Sequence, residues 1–335
     1  RTPTAVEAAG AELLRTGCGA VLIKGGHTKA REASGAAVAQ DYFCSADICC
    51  WLSSARVENE NTHGTGCTLS ACIAAFVAQG EPMLDAVVLA KAYVTRGIQL
   101  ATRLGKGPGP VAHTGWPADA KAMPWITRTC DEGIVRTQFA RCSDGAACGV
   151  VPIVDSVEGV QQVVSAGAKD VQLRVKNVPA STVLEMVSHA QEACAKSGAR
   201  LWVNDHWEAA ISCGTYGAHV GFEDLEAMGV KERRRLASSG MRLGVSTHSY
   251  AELATALAVR PSYVSLGPVF STASKKLRFT PRGLANVERW RKLIPSDTPL
   301  VAIGGITRER ALAVTAAGAD GIAIISAIDS WYPRS

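Results

Sequence analysis

The second half of the chain carries cations and carboxylates of the kinds that hold a diphosphate together with a metal ion. Arg174, Lys176 and Lys275 supply positive charges suited to the many oxygens of a diphosphate. Asp205 and Asp224 offer hard oxygen ligands, and together with diphosphate oxygens and water their favoured guest is Mg²⁺. These residue types predict a diphosphate–magnesium site.

A second anion site is indicated near the end of the chain. Gly304-Gly305 stand before a helical segment and Ser326 follows an apolar run, a pattern in which backbone N–H groups face a phosphate. Taken singly, each residue has an ordinary role, since an Asp after a strand usually caps a helix and a Gly pair usually makes a turn. Two anion sites together predict two phosphorylated substrates.

The elements that must position these residues alternate regularly after residue 148. Short apolar runs alternate with amphipathic helical segments, and eight such repeats predict a parallel (β/α)8 TIM barrel whose site lies at the carboxyl ends of its strands. After Ser326 the chain is too short for a full last helix, so we expect that helix to be truncated. The predicted strands are 152–154, 170–174, 200–204, 217–220, 242–246, 262–267, 300–304 and 321–325.

Gly, Pro and Trp punctuation between residues 107 and 143 predicts a domain boundary. We therefore expect an α/β domain over 1–115, a linker over 116–147 and the barrel over 148–330. In the first domain, 20–23 is a predicted strand, and 66–78 and 83–104 are predicted helices.

Composition excludes several classes of protein. The 35 basic residues are scattered, so the net charge of +5 does not predict nucleic-acid binding. No apolar run approaches the length of a membrane helix. The 11 cysteines have neither disulfide nor zinc spacing, so we expect reduced thiols in an intracellular compartment, either cytoplasm or plastid. The sequence leaves the oligomeric state open, with a homo-oligomer among the options.

Seven motifs of the second half resemble thiamine-phosphate synthase in order and spacing: QLRVKN, VNDHWEAA, GAHVGFEDL, LGVSTHS, YVSLGPVFSTASKK, AIGGI and GADGIAIISAI. The resemblance implies that pyrophosphate leaves a pyrimidine diphosphate first and that a thiazole nitrogen then traps the resulting cation. It further implies Mg²⁺ at Asp205 and Asp224. The implied contacts to the pyrimidine diphosphate are Gln172, Arg174, Lys176, Asn204, Ser246 and Lys275, and those to thiazole phosphate are Thr272, Ser274, Gly305, Ile325 and Ser326.

The sequence departs from the family pattern at a few positions. Phe222 stands where the family usually has Gln, Ser271 where Pro is common, and Ser274 where Thr is usual. Two alternatives therefore stay open: a barrel enzyme for another phosphorylated small molecule, and a non-catalytic homologue that senses thiazole phosphate.

The first half contains NTHGTGC at 61–67, which runs into a helix, and KGGH at 24–27. A Gly-rich loop at a helix N-terminus suits a phosphate. Together the two motifs resemble the C-terminal part of the ribokinase-like hydroxymethylpyrimidine phosphate kinase. The resemblance implies an anion hole at Gly64, Gly66 and Cys67, with Cys67 at the catalytic position. Because only part of such a kinase fits before the linker, we expect this half to be inactive.

Overall fold

The computed structural model describes residues 2–26, 30–32, 35–143, 145, 147–271 and 280–333. The chain divides into two compact units. Unit 1 comprises Arg1–Arg136 together with Ser249–Val259, and unit 2 comprises Thr137–His248 and Arg260–Ser335.

The described strands are β1 (Ala20–Ile23), β2 (Val38–Ser45), β3 (Cys49–Ala55), β4 (Trp125–Thr127), β5 (Gly149–Val154), β6 (Asp170–Leu173), β7 (Arg200–Asn204), β8 (Gly217–Val220), β9 (Arg242–Thr247), β10 (Tyr263–Leu266), β11 (Leu300–Ile303) and β12 (Gly321–Ile324). The described helices are α1 (Pro3–Leu14), α2 (Thr65–Ala78), α3 (Met83–Gln99), α4 (Val157–Ser165), α5 (Ala180–Ser197), α6 (Trp207–Ser212), α7 (Phe222–Ala227), α8 (Val230–Ser238), α9 (Tyr250–Ala258), α10 (Gly283–Leu293), α11 (Arg308–Ala316) and α12 (Ile328–Trp331).

Unit 2 is built on a closed parallel barrel of eight strands. Strands β5 to β12 pair in chain order, and β12 pairs with β5 to complete the circle, with Ile324 opposite Pro152. The predicted barrel is therefore confirmed, and seven of its eight strands start and end within one residue of the predicted bounds. β5 begins three residues early, at Gly149, and the last helix, α12, has four residues.

Helices of this unit begin where the sequence offers a cap. Ser156 precedes α4, and its hydroxyl accepts a hydrogen bond from the Gly159 N–H at 3.1 Å. Val160, Val163 and Val164 follow at helical spacing and are all buried. The cap and the apolar stripe together explain why this segment forms a helix against the sheet.

The barrel interior is filled by aromatic side chains. Trp202 and Tyr263 are buried and meet edge to face, with ring centroids 4.9 Å apart. Gly217 and Gly244 make room for them, because a side chain at either position would collide with Trp202 or Tyr263 respectively. The interior is thus packed rather than hollow, as expected for a barrel of this size.

A buried ion pair supports the end of the barrel at which the strands begin. Asp170, at the start of β6, accepts hydrogen bonds from Arg200 at 2.7 and 3.0 Å and from the Trp202 indole at 3.0 Å. Asp170 is almost fully buried, so these three donors are needed to offset its desolvation. This charge is structural and lies away from the carboxyl ends of the strands.

Unit 1 contains a four-stranded antiparallel sheet in the order β1-β2-β3-β4. Strand β1 and the start of α2 agree with prediction, but β2, β3 and β4 were not predicted. Helix α3 ends at Gln99 rather than at 104, because the Asn59 amide donates to the carbonyls of Ile98 and Ala101 and stops the helix there.

The segment expected to be a linker has regular structure in part. Strand β4 pairs with β3 in unit 1, and the Trp125 indole donates to the Gly133 carbonyl at 3.0 Å. In unit 2, Phe139 is buried and the Ser262 hydroxyl donates to the Ala140 carbonyl. Apolar side chains of this segment, such as Trp125 and Phe139, therefore pack within one unit or the other. The domain bounds 1–115, 116–147 and 148–330 remain a prediction.

Among the described residues, no helix combines the length and the apolar character required to cross a lipid bilayer.

Candidate active site

Three charged residues meet at the carboxyl ends of neighbouring barrel strands. Lys176 follows β6, Asp205 directly follows β7, and Asp224 lies in the short helix after β8. The Lys176 ammonium lies 2.5 Å from an Asp205 carboxylate oxygen, and the Asp224 carboxyl group neighbours that of Asp205. The structure therefore brings together three of the five residues from which the diphosphate–magnesium site was predicted.

The two carboxylates influence one another. Burial raises the pKa of Asp205, but the hydrogen bond and charge of Lys176 outweigh it and hold that pKa below its ordinary value. Burial and the negative charge of Asp205 both raise the pKa of Asp224. Two adjacent carboxylates with opposed pKa shifts form a concentration of negative charge that a divalent cation would relieve. Among the described residues, no group of three or more His, Cys, Asp or Glu side chains forms a metal cluster.

The remaining predicted diphosphate contacts lie partly outside the described residues. Arg174 directly follows β6, is half-buried, and is fixed by its backbone N–H, which donates to the Val154 carbonyl at 2.7 Å. Asn204, the last residue of β7, is buried. Lys275 lies outside the described residues, and so do Thr272 and Ser274, which were predicted to contact thiazole phosphate.

A polar network inside the barrel lies beneath these charges. The two ring nitrogens of His219 lie 2.6 Å from the Tyr263 hydroxyl and 2.8 Å from the Ser246 hydroxyl. The Gln172 amide also reaches the Tyr263 hydroxyl, at 3.5 Å. Gln172 and Ser246 were predicted as substrate contacts, whereas the His219–Tyr263 pair that joins them was not. The available signal was that both are polar residues at strand positions that otherwise face a packed interior.

His219 is neutral in the folded protein. Burial lowers the pKa of His219, the charge of Asp205 opposes this shift and the charge of Arg174 adds to it, and the net result is a pKa of about 4. A neutral imidazole has one donor and one acceptor nitrogen, which matches its two hydroxyl neighbours. The interior network thus adds hydrogen-bonding capacity without adding positive charge.

The predicted phosphate site lies at the ends of β11 and β12. Gly304 and Gly305 both have positive φ, at 104° and 63°, which favours glycine at each position. Ile325 and Ser326 follow β12 directly and are exposed. The turn, the start of α11 and the end of β12 are therefore on the same rim as the diphosphate residues, since all the strands run in one direction.

The predicted anion hole of unit 1 lies at the N-terminus of α2. Gly64 precedes the helix with a φ of 82°, and exposed Cys67 is in the first turn. A methyl group on Gly66 would lie 2.8 Å from the Lys24 ammonium nitrogen, so this glycine lets the lysine approach the helix end. The arrangement combines a helix dipole, free space and a cation, as an anion site requires.

A buried ion pair holds the Lys24 loop. Lys91 of α3 and Asp41 of β2 are 2.5 Å apart, and both side chains are nearly inaccessible to solvent. The other Asp41 oxygen accepts a hydrogen bond from the Gly25 N–H at 2.8 Å. The pair therefore ties the glycine next to Lys24 to the sheet.

Comparison with known proteins identifies the two families that this chain matches. Residues 148–328, more than half of the chain, match the sequence model of a family described as thiamine monophosphate synthase. The chain belongs to the thiamine-phosphate synthase family. Residues 1–112 match a second model, described as phosphomethylpyrimidine kinase. Unit 1 thus contains a fragment of that kinase.

Individual thiamine-phosphate synthases are similar to the barrel over most of their length. The enzyme of Yersinia pestis strain Pestoides F is 42% identical over 180 residues, which are 54% of this chain and 82% of that protein. The enzyme of Rhizobium etli is 44% identical over 176 residues, 52% of this chain and 84% of its own. A solved thiamine phosphate pyrophosphorylase from Pyrococcus furiosus is 27% identical, with a TM-score of 0.49, and covers 56% of this chain and 89% of its own.

One departure from the family pattern can be placed in the fold. Phe222, where thiamine-phosphate synthases usually have Gln, is the first residue of α7 and is half-buried. Asp224 remains in contact with Asp205 in the presence of this substitution.

Proposed function

We propose that unit 2 joins hydroxymethylpyrimidine diphosphate to thiazole phosphate and releases pyrophosphate, giving thiamine phosphate. The observation that carries this proposal is the contact of Lys176, Asp205 and Asp224 at the mouth of a barrel that belongs to the thiamine-phosphate synthase family. Identities of 42% and 44% over 82% and 84% of two thiamine-phosphate synthases support it.

The diphosphate would be bound by cations on the β6 side of the mouth. Lys176 contacts the Asp205 carboxylate, and Arg174 and Lys275 are proposed to join it. Asp205 and Asp224 would hold Mg²⁺, and their adjacency fits this ion because proteins usually supply it with one or two carboxylates, leaving the remaining positions to phosphate oxygens and water. When bound, the metal supplies positive charge that stabilises the departing pyrophosphate.

The reaction needs charge stabilisation rather than a base. The bond between the pyrimidine methylene carbon and the diphosphate oxygen breaks, and its electron pair leaves with pyrophosphate. A new bond then forms from the thiazole nitrogen to that carbon, with no proton transferred. Arg174 and Lys176 hold the anion, while neutral His219 places no positive charge beneath the carbocation. Gln172, Asn204 and Ser246 are proposed to orient the pyrimidine ring.

Thiazole phosphate is proposed to bind across the mouth. Gly305, Ile325 and Ser326 would hold its phosphate, and Thr272 and Ser274 would complete the site. Both substrates would then bind on one rim of the barrel, as the transfer between them requires.

The test is to mix both precursors with Mg²⁺ and to follow thiamine phosphate and pyrophosphate. We expect turnover by the intact chain, and a fall of about 100-fold or more in Asp205→Asn, which loses the charge but keeps the shape. The control is Glu185→Ala, which removes an exposed carboxylate from α5 and should leave turnover unchanged.

The same assay decides the alternatives. Binding of thiazole phosphate without product formation by the intact chain would favour the sensor, and neither binding nor product would favour a barrel enzyme for another phosphorylated compound.

We further propose that unit 1 binds phosphate groups at Gly64, Gly66 and Cys67 but does not complete the kinase reaction in this chain. The support is the Lys24 ammonium beside the N-terminus of α2. Transfer of phosphate from ATP to hydroxymethylpyrimidine phosphate by the purified chain would contradict the proposed inactivity.

Placement of the protein in cytoplasm or plastid, and assembly as a homo-oligomer, are part of the proposal. The first is supported by 11 free cysteines, all within the described ranges. Fractionation of cells and light scattering of the purified chain test the two points.

A further inference from the structure

Arg310 lies against the predicted phosphate turn without having been assigned a role. It is the third residue of α11, and its side chain turns back toward the loop that precedes the helix. One guanidinium N–H group donates to the Gly305 carbonyl at 2.7 Å. The guanidinium also lies over the Phe270 ring, 4.6 Å from its centroid.

The charge of Arg310 is unfavourable for the helix that carries it. The N-terminus of a helix has a partial positive charge and prefers acidic residues in its first turn. Glu309 satisfies that preference, whereas Arg310 opposes it. An anion bound nearby would offset this unfavourable interaction and would explain a cation in this position.

The contact with Gly305 also fixes the orientation of a peptide group. Because the peptide bond is planar and trans, holding the Gly305 carbonyl on one side directs the Ile306 N–H to the other. Gly305 has positive φ and packs against Phe270, so the turn has little freedom to rotate. Arg310 therefore stabilises one arrangement of the backbone donors at the end of β11.

The guanidinium retains capacity to bind an anion. It has five N–H groups, and within the described part of the chain one of them makes a hydrogen bond, to Gly305. The contact with the Phe270 ring restrains the position of the guanidinium. A guanidinium held beside a turn of glycine N–H groups is suited to a phosphate monoester.

We propose that Arg310 is a specificity residue for the phosphate of the second substrate, acting through its charge and through the Gly305 carbonyl that it holds. This inference rests on the proposed synthase function, since it names a further residue of the same site.

Arg308 provides a matched control. It is exposed in the same helical turn and carries the same charge, but its guanidinium lies over Trp331, 5.2 Å from the ring centroid. Arg310→Ala and Arg308→Ala therefore change net charge equally and differ in the contact with the phosphate turn. Arg310→Lys keeps the charge but loses the planar fork.

Two measurements are made on each variant. Steady-state kinetics give the KM values for thiazole phosphate, for its unphosphorylated alcohol and for the pyrimidine diphosphate. Calorimetry gives the Kd for thiazole phosphate. We expect Arg310→Ala to raise the KM and Kd for thiazole phosphate about tenfold, the value of one charge-assisted hydrogen bond. The KM values for the alcohol and for the pyrimidine diphosphate should not change. For Arg310→Lys, the KM and Kd for thiazole phosphate should lie between those of Arg310→Ala and the intact chain. Arg308→Ala should have the same KM and Kd as the intact chain.

Equal effects of Arg308→Ala and Arg310→Ala would overturn the inference, because net charge alone would explain them. An equal loss for the phosphorylated and unphosphorylated thiazole would also overturn it, because the role would then be structural. If the intact chain forms no thiamine phosphate, the proposed function fails, and calorimetry alone judges Arg310. In that case, a Kd unaffected by Arg310→Ala, or no binding by any variant, would contradict its role.

Discussion

Asp205 combines a chemical role with an unusual backbone conformation. Its φ is 63°, in the left-handed region that Asp and Asn tolerate better than most residues. The same residue directly follows β7 and meets Lys176 and Asp224. The position therefore selects a short polar side chain for conformational as well as for chemical reasons.

Two substitutions of Asp205 should separate these reasons. We expect Asp205→Ala to lower the free energy of unfolding by about 1 kcal/mol more than Asp205→Asn, since alanine is disfavoured in the left-handed region. Both variants should lose turnover to a similar extent. Urea denaturation and product formation measure the two effects, and equal stability of the variants would contradict the conformational part.

The Tyr263 hydroxyl offers a second test. Tyr263→Phe leaves a His219 ring nitrogen without its 2.6 Å partner, which should cost about 1–3 kcal/mol of unfolding free energy. We also expect a higher KM for the pyrimidine diphosphate, because Ser246 and Gln172 lose their common support. Tyr332→Phe is the control, since among the described residues that hydroxyl has one long contact, of 3.5 Å, to the Val150 carbonyl. Equal losses in the two variants would refute the special role of Tyr263.

At the scale of elements, sequence predicts the barrel better than the sheet of unit 1. Most barrel strands are short, largely apolar runs bounded by polar or Gly residues, although β6 includes Asp170 and Gln172, so the limits of the strands can be recognised from the local sequence. Strand β2, in contrast, contains Gln40 and Asp41, which are buried because Ser53 and Lys91 lie beside them. Those partners are distant in sequence, and no local pattern reveals that the polar residues are satisfied.

The same limit applies to the candidate site. Arg174, Lys176, Asp205 and Asp224 follow strands, and the rule that a barrel's site lies at the strand ends was sufficient to group them. His219 and Tyr263 lie inside strands β8 and β10, where side chains normally pack. Strand β9 lies between β8 and β10 in the barrel, so the two side chains meet across a neighbouring strand, and the spacing of the residues in the sequence could not predict their contact.

The ion pair between Lys91 and Asp41 should stabilise unit 1 strongly. We expect Lys91→Ala to lower its unfolding free energy by about 3–5 kcal/mol, because Asp41 would be left as a buried charge without its partner. The double variant Lys91→Met with Asp41→Asn should recover most of that loss. Chemical denaturation followed by tryptophan fluorescence measures both, and an additive loss in the double variant would contradict the pairing.

At the scale of the whole molecule, His219 links folding to pH. Its pKa is about 4 when folded and near 6.5 when unfolded, so between these values only the unfolded chain binds the proton. Protonation then favours unfolding, and stability falls as pH decreases from about 6.5 to 4. The loss from this residue is on the order of 3 kcal/mol.

Thermal unfolding of the intact chain at pH 7.5 and pH 5 tests this dependence. His219→Gln should be less stable at pH 7.5 but should lose less on acidification than the intact chain. Tyr263→Phe, which removes a neighbour without removing the titrating group, should keep the acid sensitivity. An identical response of His219→Gln and the intact chain to pH would exclude His219 as the cause.

The aromatic filling of the barrel has a consequence for which pyrimidines can be accepted. Trp202 and Tyr263 occupy the space opened by Gly217 and Gly244, so no depth remains below the polar network for an additional substituent. Variants selected for bulkier precursors should therefore carry changes in the loops after the strands. Trimming Tyr263 itself would create depth only at the expense of the hydrogen bond that keeps His219 in place.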